Sequence, residues 1–161
     1  MKIFCGTHTL VRGILVLLVY AGAPAVQSAE RSAKELCGET VLNYAHFSDT
    51  GQREKFGELF TRDGVLITSG APRTPNQVIT EADRSPRTSR HVTTNHIVQE
   101  VDGKLTGTSY FTLYFNSETG DAPLPMTDQP VAVGVYYDTY TIEDGVCKFK
   151  ERIAKATFAG R

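Results

Sequence analysis

The chain has 161 residues, 17 basic and 18 acidic, for a formal net charge of −1. So even a balance, with no basic cluster, leaves no electrostatic footprint for nucleic acid. Three cysteines and four histidines show no zinc-ligand spacing, and neither a phosphate loop nor a nucleophile elbow occurs.

The first 29 residues read as a leader. Lys2 and Arg12 form a positive start, and the run from Gly13 to Ala23 is apolar but too short to span a bilayer. Small residues at Ala25, Ser28 and Ala29 offer cleavage sites. A cleaved secretory signal predicts a secreted or periplasmic protein without stable membrane insertion; the other reading is an uncleaved anchor. Cleavage leaves 15 basic and 18 acidic residues, formally −3, in one domain over 30–161. A chain of this size buries roughly two thirds of its surface without help from a metal. Cys37 and Cys147 remain in a compartment that permits oxidation, where they either pair or stay as buried thiols. Pairing would close a long loop and stabilise by about 4–5 kcal/mol on the chain-entropy account.

From Ser32 to about Ser48 the pattern is helical, with Cys37, Val41, Tyr44 and Ala45 on one face. Asp49-Thr50-Gly51 ends it, and Phe56, Leu59 and Phe60 give a second, short helix a buried side. Thr61-Arg62-Asp63-Gly64 turns into a strand over 65–68, and Gly70 and Pro72 mark a loop. Thr74-Pro75-Asn76-Gln77 starts a third helix, with a Thr cap, Pro at the first helical position and Gln three residues past the cap. It runs to about Arg84, and Pro86 stops it.

Two hairpins follow, 89–116 about Asp102-Gly103 and 130–158 about Asp144-Gly145, joined by a proline-rich loop. Cross-strand charge favours three-residue turns, which oppose Glu100 to Lys104, Asp138 to Lys150 and Tyr136 to Arg152. In that register His91, Thr93, Asn95 and Ile97 share a face with Ser109, Phe111, Leu113 and Phe115. Val133, Val135, Tyr137, Cys147, Phe149 and Ile153 form the second apolar face, leaving Asp138, Lys150 and Arg152 as a charge cluster on the other side. A two-residue turn would instead set His91 and Asn95 beside Tyr110 and Tyr114, and a bulge would mix the two arrangements. His46 and His96 are read as solvated, and His91 and His96 as alternating faces, so they predict no metal site.

Tyr44-Ala45-x-x-x-Asp49, Phe56-x-x-Leu59-Phe60-Thr61-x-Asp63-Gly64, Arg90-His91-x-x-x-Asn95, Thr106-Gly107-Thr108-Ser109-Tyr110-Phe111 and Gly134-x-Tyr136-x-Asp138 occur in this order. Together they resemble a SnoaL-like domain of the nuclear transport factor 2 superfamily. That resemblance implies an α+β cone-shaped barrel, a strongly bent antiparallel sheet with three helices packed on its concave face around a pocket. It further implies an apolar small-molecule ligand, no cofactor and a possible homodimer. Enzymes of this kind include scytalone dehydratase, polyketide cyclases and steroid isomerase relatives, while other members are not enzymes.

By similarity to scytalone dehydratase, Asp49 and His91 match an acidic residue and a histidine that face each other. A carboxylate beside an imidazole fixes its tautomer, which suits proton transfer near neutrality. Asn95 is a candidate oxyanion donor, and Tyr44, Ser109, Tyr110 and Phe111 are candidate substrate contacts. The dehydratase's second histidine has no counterpart between Ser109 and Phe115, which argues against that same dehydration. Bland alternatives stand beside these roles: Asp49 as a helix cap, His91 as a core histidine, Asn95 at a bulge. Three functions therefore compete: a cofactor-independent lyase or isomerase, a small-molecule binding protein, and a dimeric interaction domain.

Overall fold

A computed structural model describes residues 31–84, 87–120, 122–125 and 129–160. The expected leader, 1–29, lies outside the described residues. Helix α1 (Ala33–Asp49) starts at a reciprocal cap: Ser32 Oγ accepts from the Glu35 N–H, and the Glu35 carboxylate accepts from the Ser32 N–H at 2.7 Å. Cys37, Thr40, Val41 and Tyr44, spaced for one helical face, are buried. Helix α2 (Arg53–Glu58) buries Phe56 and runs straight into β1 (Phe60–Thr68). Strand β2 (Ala71–Arg73) pairs back on β1, and α3 (Pro75–Arg84) begins where the Thr74 cap predicts it, with Thr74 and Gln77 bonded reciprocally. No helix of the described residues is long and apolar enough to cross a membrane.

The remaining strands are β3 (Thr88–Val101), β4 (Lys104–Asn116), β5 (Ala132–Glu143) and β6 (Val146–Ala159). They complete one six-stranded curved sheet in the order β2-β1-β6-β5-β4-β3. The sheet departs from the expected antiparallel barrel in two ways. β1 runs parallel to β6, and the sheet is open, with β2 and β3 as its edges. Helix α1 packs on β3 and β6, where a Cys37–Cys147 disulfide and a 2.7 Å hydrogen bond from Thr40 Oγ1 to the Cys147 carbonyl fix it.

Both hairpin turns have two residues, not three. Asp102, Gly103, Asp144 and Gly145 all have positive φ, at 51°, 71°, 50° and 76°, the conformation of a type I′ turn, whose twist matches the flanking strands. Glu100 therefore pairs with Leu105 and Val101 with Lys104. A bulge at Asn95 and His96 then restores the expected pairing at the other end, where His91 faces Leu113 and Thr93 faces Phe111. Beyond the bulge the faces exchange, so Val98 is buried and Ile97 is 58% exposed. His96 also turns inward and packs under Gly38 of α1, so the expectation of a solvated ring is corrected.

The second hairpin changes more. A bulge between the Thr139 and Tyr140 pairs sets Asp138 opposite Arg152 and Tyr136 opposite Ala154. Gly134, Tyr136, Asp138, Tyr140, Cys147, Phe149 and Arg152 consequently point into the core, while Tyr137 lies outside. The expected outer charge cluster is in fact an interior ion pair. Arg152 Nε and Nη2 each donate to an Asp138 oxygen at 2.8 Å, and the Tyr140 hydroxyl donates to Asp138 at 2.9 Å. The guanidinium lies 4.1–4.2 Å from the ring centres of Tyr44, Tyr136 and Phe149. Bidentate pairing and stacking on ring faces compensate the burial of a planar, delocalised cation.

Candidate active site

A cavity of about 1090 Å³ opens between α1, α2, α3 and the sheet. Its lining includes Tyr44 and Asp49 of α1, Phe56 of α2, Val78 and Ile79 of α3, and His91, Phe111, Leu113 and Tyr136 of the sheet. A mainly apolar wall with a few convergent polar groups is the usual make-up of a small-molecule site. Of the sequence candidates, Tyr44, Asp49, His91 and Phe111 meet here.

Asp49 ends α1 and reaches across to the start of β3, where its carboxylate accepts three hydrogen bonds. These come from the His91 backbone N–H at 2.7 Å, the Ser89 hydroxyl at 2.8 Å and His91 Nδ1 at 2.6 Å. The two side chains are only about a tenth exposed, 10% for Asp49 and 9% for His91. Burial by itself would raise the Asp49 carboxyl. The bonds from the His91 ring, the His91 backbone and Ser89 outweigh it and hold the group below its ordinary value. An ionised carboxylate can only accept, so Nδ1 carries a proton, and in the neutral imidazole Nε2 is then the nitrogen with the lone pair. The Asp49 backbone carbonyl also receives Arg90 Nη1 at 3.4 Å. Asp49 thus does not act as the cap of α2; that position is Gln52, which makes no side-chain cap bond.

Tyr44 packs edge-on against the His91 ring with centroids 6.0 Å apart, and Tyr136 stacks on Phe111 at 4.4 Å. Burial raises the Tyr44 phenol and drives Tyr136 well above its ordinary range, so both stay protonated as hydrogen-bond donors. Arg152 lies directly beneath both rings and fixes their positions through the stacking described above.

Three other candidates lie elsewhere. Asn95 occupies the β3 bulge with φ of 51° and is exposed, because the extra residue rotates it out of the face that carries His91. Tyr110 is 51% exposed on the outer face of β4. Ser109 faces inward but is fully buried outside the cavity lining, and its Oγ has no hydrogen-bond partner. Tyr136, Ser89 and Arg152, which lies behind the cavity wall, were not among the sequence candidates. A two-residue turn at Asp144-Gly145 together with the β6 bulge is the signal that would have turned Tyr136 and Arg152 inward. Among the described residues no group of three or more His, Cys, Asp or Glu side chains is placed to hold a metal ion.

Residues 29–153 match the SnoaL-like domain family. The chain belongs to that family. Solved structures similar to this SnoaL-like protein share its fold at low identity. One is a protein provisionally assigned as a scytalone dehydratase from Novosphingobium aromaticivorans, with TM-score 0.65 and 19% identity over 78% of this chain and 85% of that one. A hexachlorocyclohexane dehydrochlorinase, LinA type 2, gives 0.61 and 16% over 78% and 85%. A protein of unknown function with a cystatin-like fold from Nostoc punctiforme gives 0.61 and 18% over 79% and 94%. Comparison with curated protein sequences finds no match.

Proposed function

We propose that this SnoaL-like protein is an exported, cofactor-independent enzyme that moves a proton at a carbon next to a carbonyl in a hydrophobic small molecule. The carrying observation is the Asp49–His91 pair, which lines an apolar cavity with Asp49 held by three donors. His91 Nε2 takes the proton, and the C–H electron pair moves into a carbon–carbon double bond as charge develops on the carbonyl oxygen. The Tyr44 or Tyr136 hydroxyl donates to that oxygen, the task expected of Asn95 from sequence. Asp49 stabilises the imidazolium that forms. Return of the proton at another carbon gives isomerisation; loss of a group from the neighbouring carbon gives elimination. The dehydrochlorinase among the similar structures, named as acting on hexachlorocyclohexane, lends weight to the elimination branch. Export is supported by the charged start, apolar run and small residues of the first 29 residues.

The test needs no knowledge of the natural substrate. The protein is incubated in D2O with a panel of cyclic and aryl ketones, and NMR follows exchange of the protons next to the carbonyl. The expected result is exchange of at least one ketone by the wild type and none by His91→Ala. A ketone that binds in the cavity yet exchanges at the uncatalysed rate would reject catalysis and leave a binding protein.

A further inference from the structure

The mouth of the cavity is unusually basic, and its charges are not all spent. This inference rests on the reading of the cavity as a ligand site and names the ligand's class. Arg53, Arg73, Arg87 and Lys155 line the cavity, against the acidic side chains of Asp49 and Glu81. Asp49 belongs to His91, and Arg53 Nε is bonded to Asp83 at 3.2 Å. The Lys155 ammonium lies over the ring of Tyr137, which is on the outer face of the sheet, so its charge is directed away.

Arg73 donates Nη1 to Glu81 and Nη2 to the Thr68 hydroxyl, so its charge is paired as well. One guanidinium remains. Arg87, one residue before β3, has no carboxylate partner among the described residues and holds its guanidinium 5.2 Å from the ring centre of Phe115. Phe115 lines the cavity and pairs with Ser89, the next step along the strand from the His91–Leu113 pair. Arg87 is four residues from His91, roughly 13 Å along a strand, so a cation stands at the mouth and a base further in.

We propose that the ligand is a hydrophobic molecule with a single anionic group, a carboxylate or its equivalent. Arg87 holds the anion at the mouth, and the apolar body runs inward over Phe115, Leu113 and Phe111 to His91. The anion is thereby far from the reacting carbon, and its contacts with arginine orient the molecule in one direction. A charge-assisted bond at a partly desolvated site also favours the anion over a neutral molecule of the same shape.

The experiment compares two fluorescent probes with the same aromatic frame: 1-anilinonaphthalene-8-sulfonate and the neutral N-phenyl-1-naphthylamine. Wild type is expected to bind the sulfonate about tenfold more tightly, the size of one charge-assisted bond. Arg87→Gln should lose most of that preference while retaining affinity for the neutral probe. Leu113→Trp, which adds bulk to the wall between the mouth and His91, should weaken both. Equal wild-type affinities, or a preference that Arg87→Gln leaves unchanged, would overturn the anion proposal and leave the ligand-site reading standing. Absence of binding by either probe would overturn both.

Discussion

Replacing Asp138 by Asn should be the most damaging conservative change in the domain, because it removes charge from the interior while hardly altering volume. The Arg152 and Asp138 side chains are 1% and 0% exposed, and two bonds of 2.8 Å join them. The amide oxygen of Asn can still accept the Tyr140 hydroxyl, so the loss is confined to Arg152. Its charge stays in place with no anion, since the surrounding rings of Tyr44, Tyr136 and Phe149 offer only their faces. Breaking a buried pair from one side costs about 3–5 kcal/mol. That is a fifth or more of the roughly 5–15 kcal/mol that holds a domain together. Removing both charges at once, with Asp138→Leu and Arg152→Met, should recover most of it and end within about 2 kcal/mol of wild type, because no desolvated ion remains. Urea unfolding followed by circular dichroism measures both, provided the denaturant slope is unchanged. A loss below about 1 kcal/mol for Asp138→Asn would refute the claim that Arg152 depends on this partner.

Asp49 has a lowered carboxyl value in the folded protein, so the folded state binds fewer protons than the unfolded one and the ionised form stabilises it. The stability difference between wild type and Asp49→Asn should therefore be constant above the ordinary carboxylate value near pH 4, and shrink as pH falls through the lower folded value; acid titration of urea midpoints checks this. Gly134→Ala should fail or lose about 1–3 kcal/mol, since its Cβ would lie 2.1 Å from the Lys155 carbonyl oxygen, whereas Gly57→Ala in α2 meets only Ile79 Cδ1 at 3.6 Å and should be neutral or stabilising by about 0.5 kcal/mol on thermal melting. The Cys37–Cys147 link spans 110 residues, and replacing both by Ser should cost about 4 kcal/mol if the entropic account applies, while the native protein should show no alkylatable thiol at either position by mass spectrometry.

What could be read from the sequence was what is decided locally or by the order of motifs. The Thr74 cap, the Cys37, Val41 and Tyr44 face and the Asp49–His91 pair all follow from short-range spacing or family resemblance. Faces of the long hairpins were not legible in the same way, because a single-residue slip reverses a strand and here two effects combine. Cross-strand charge argued for three-residue turns, yet positive φ at Asp102 and Asp144 makes the turns tight. The bulge at Asn95 and His96 then returned His91 to its expected side but expelled Asn95. In the second hairpin the two-residue turn exchanged the roles of Tyr136 and Tyr137, and the bulge near Lys150 carried Arg152 into the core. A buried arginine is hard to anticipate, since only a stacked and bidentate site makes it tolerable. Likewise β1 began five residues earlier than expected and β2 went unseen, as both depend on pairing with distant or very short segments.

The most direct test of the account is the protonation pattern of the His91 ring, read from long-range proton–nitrogen NMR correlations of the imidazoles at neutral pH and assigned by comparison with His91→Gln. With Asp49 ionised, the neutral ring should carry its proton on Nδ1 and be bare on Nε2, and Asp49→Asn should disturb that pattern. A ring protonated on Nε2 and bare on Nδ1 would contradict the account, because no base would then face the cavity.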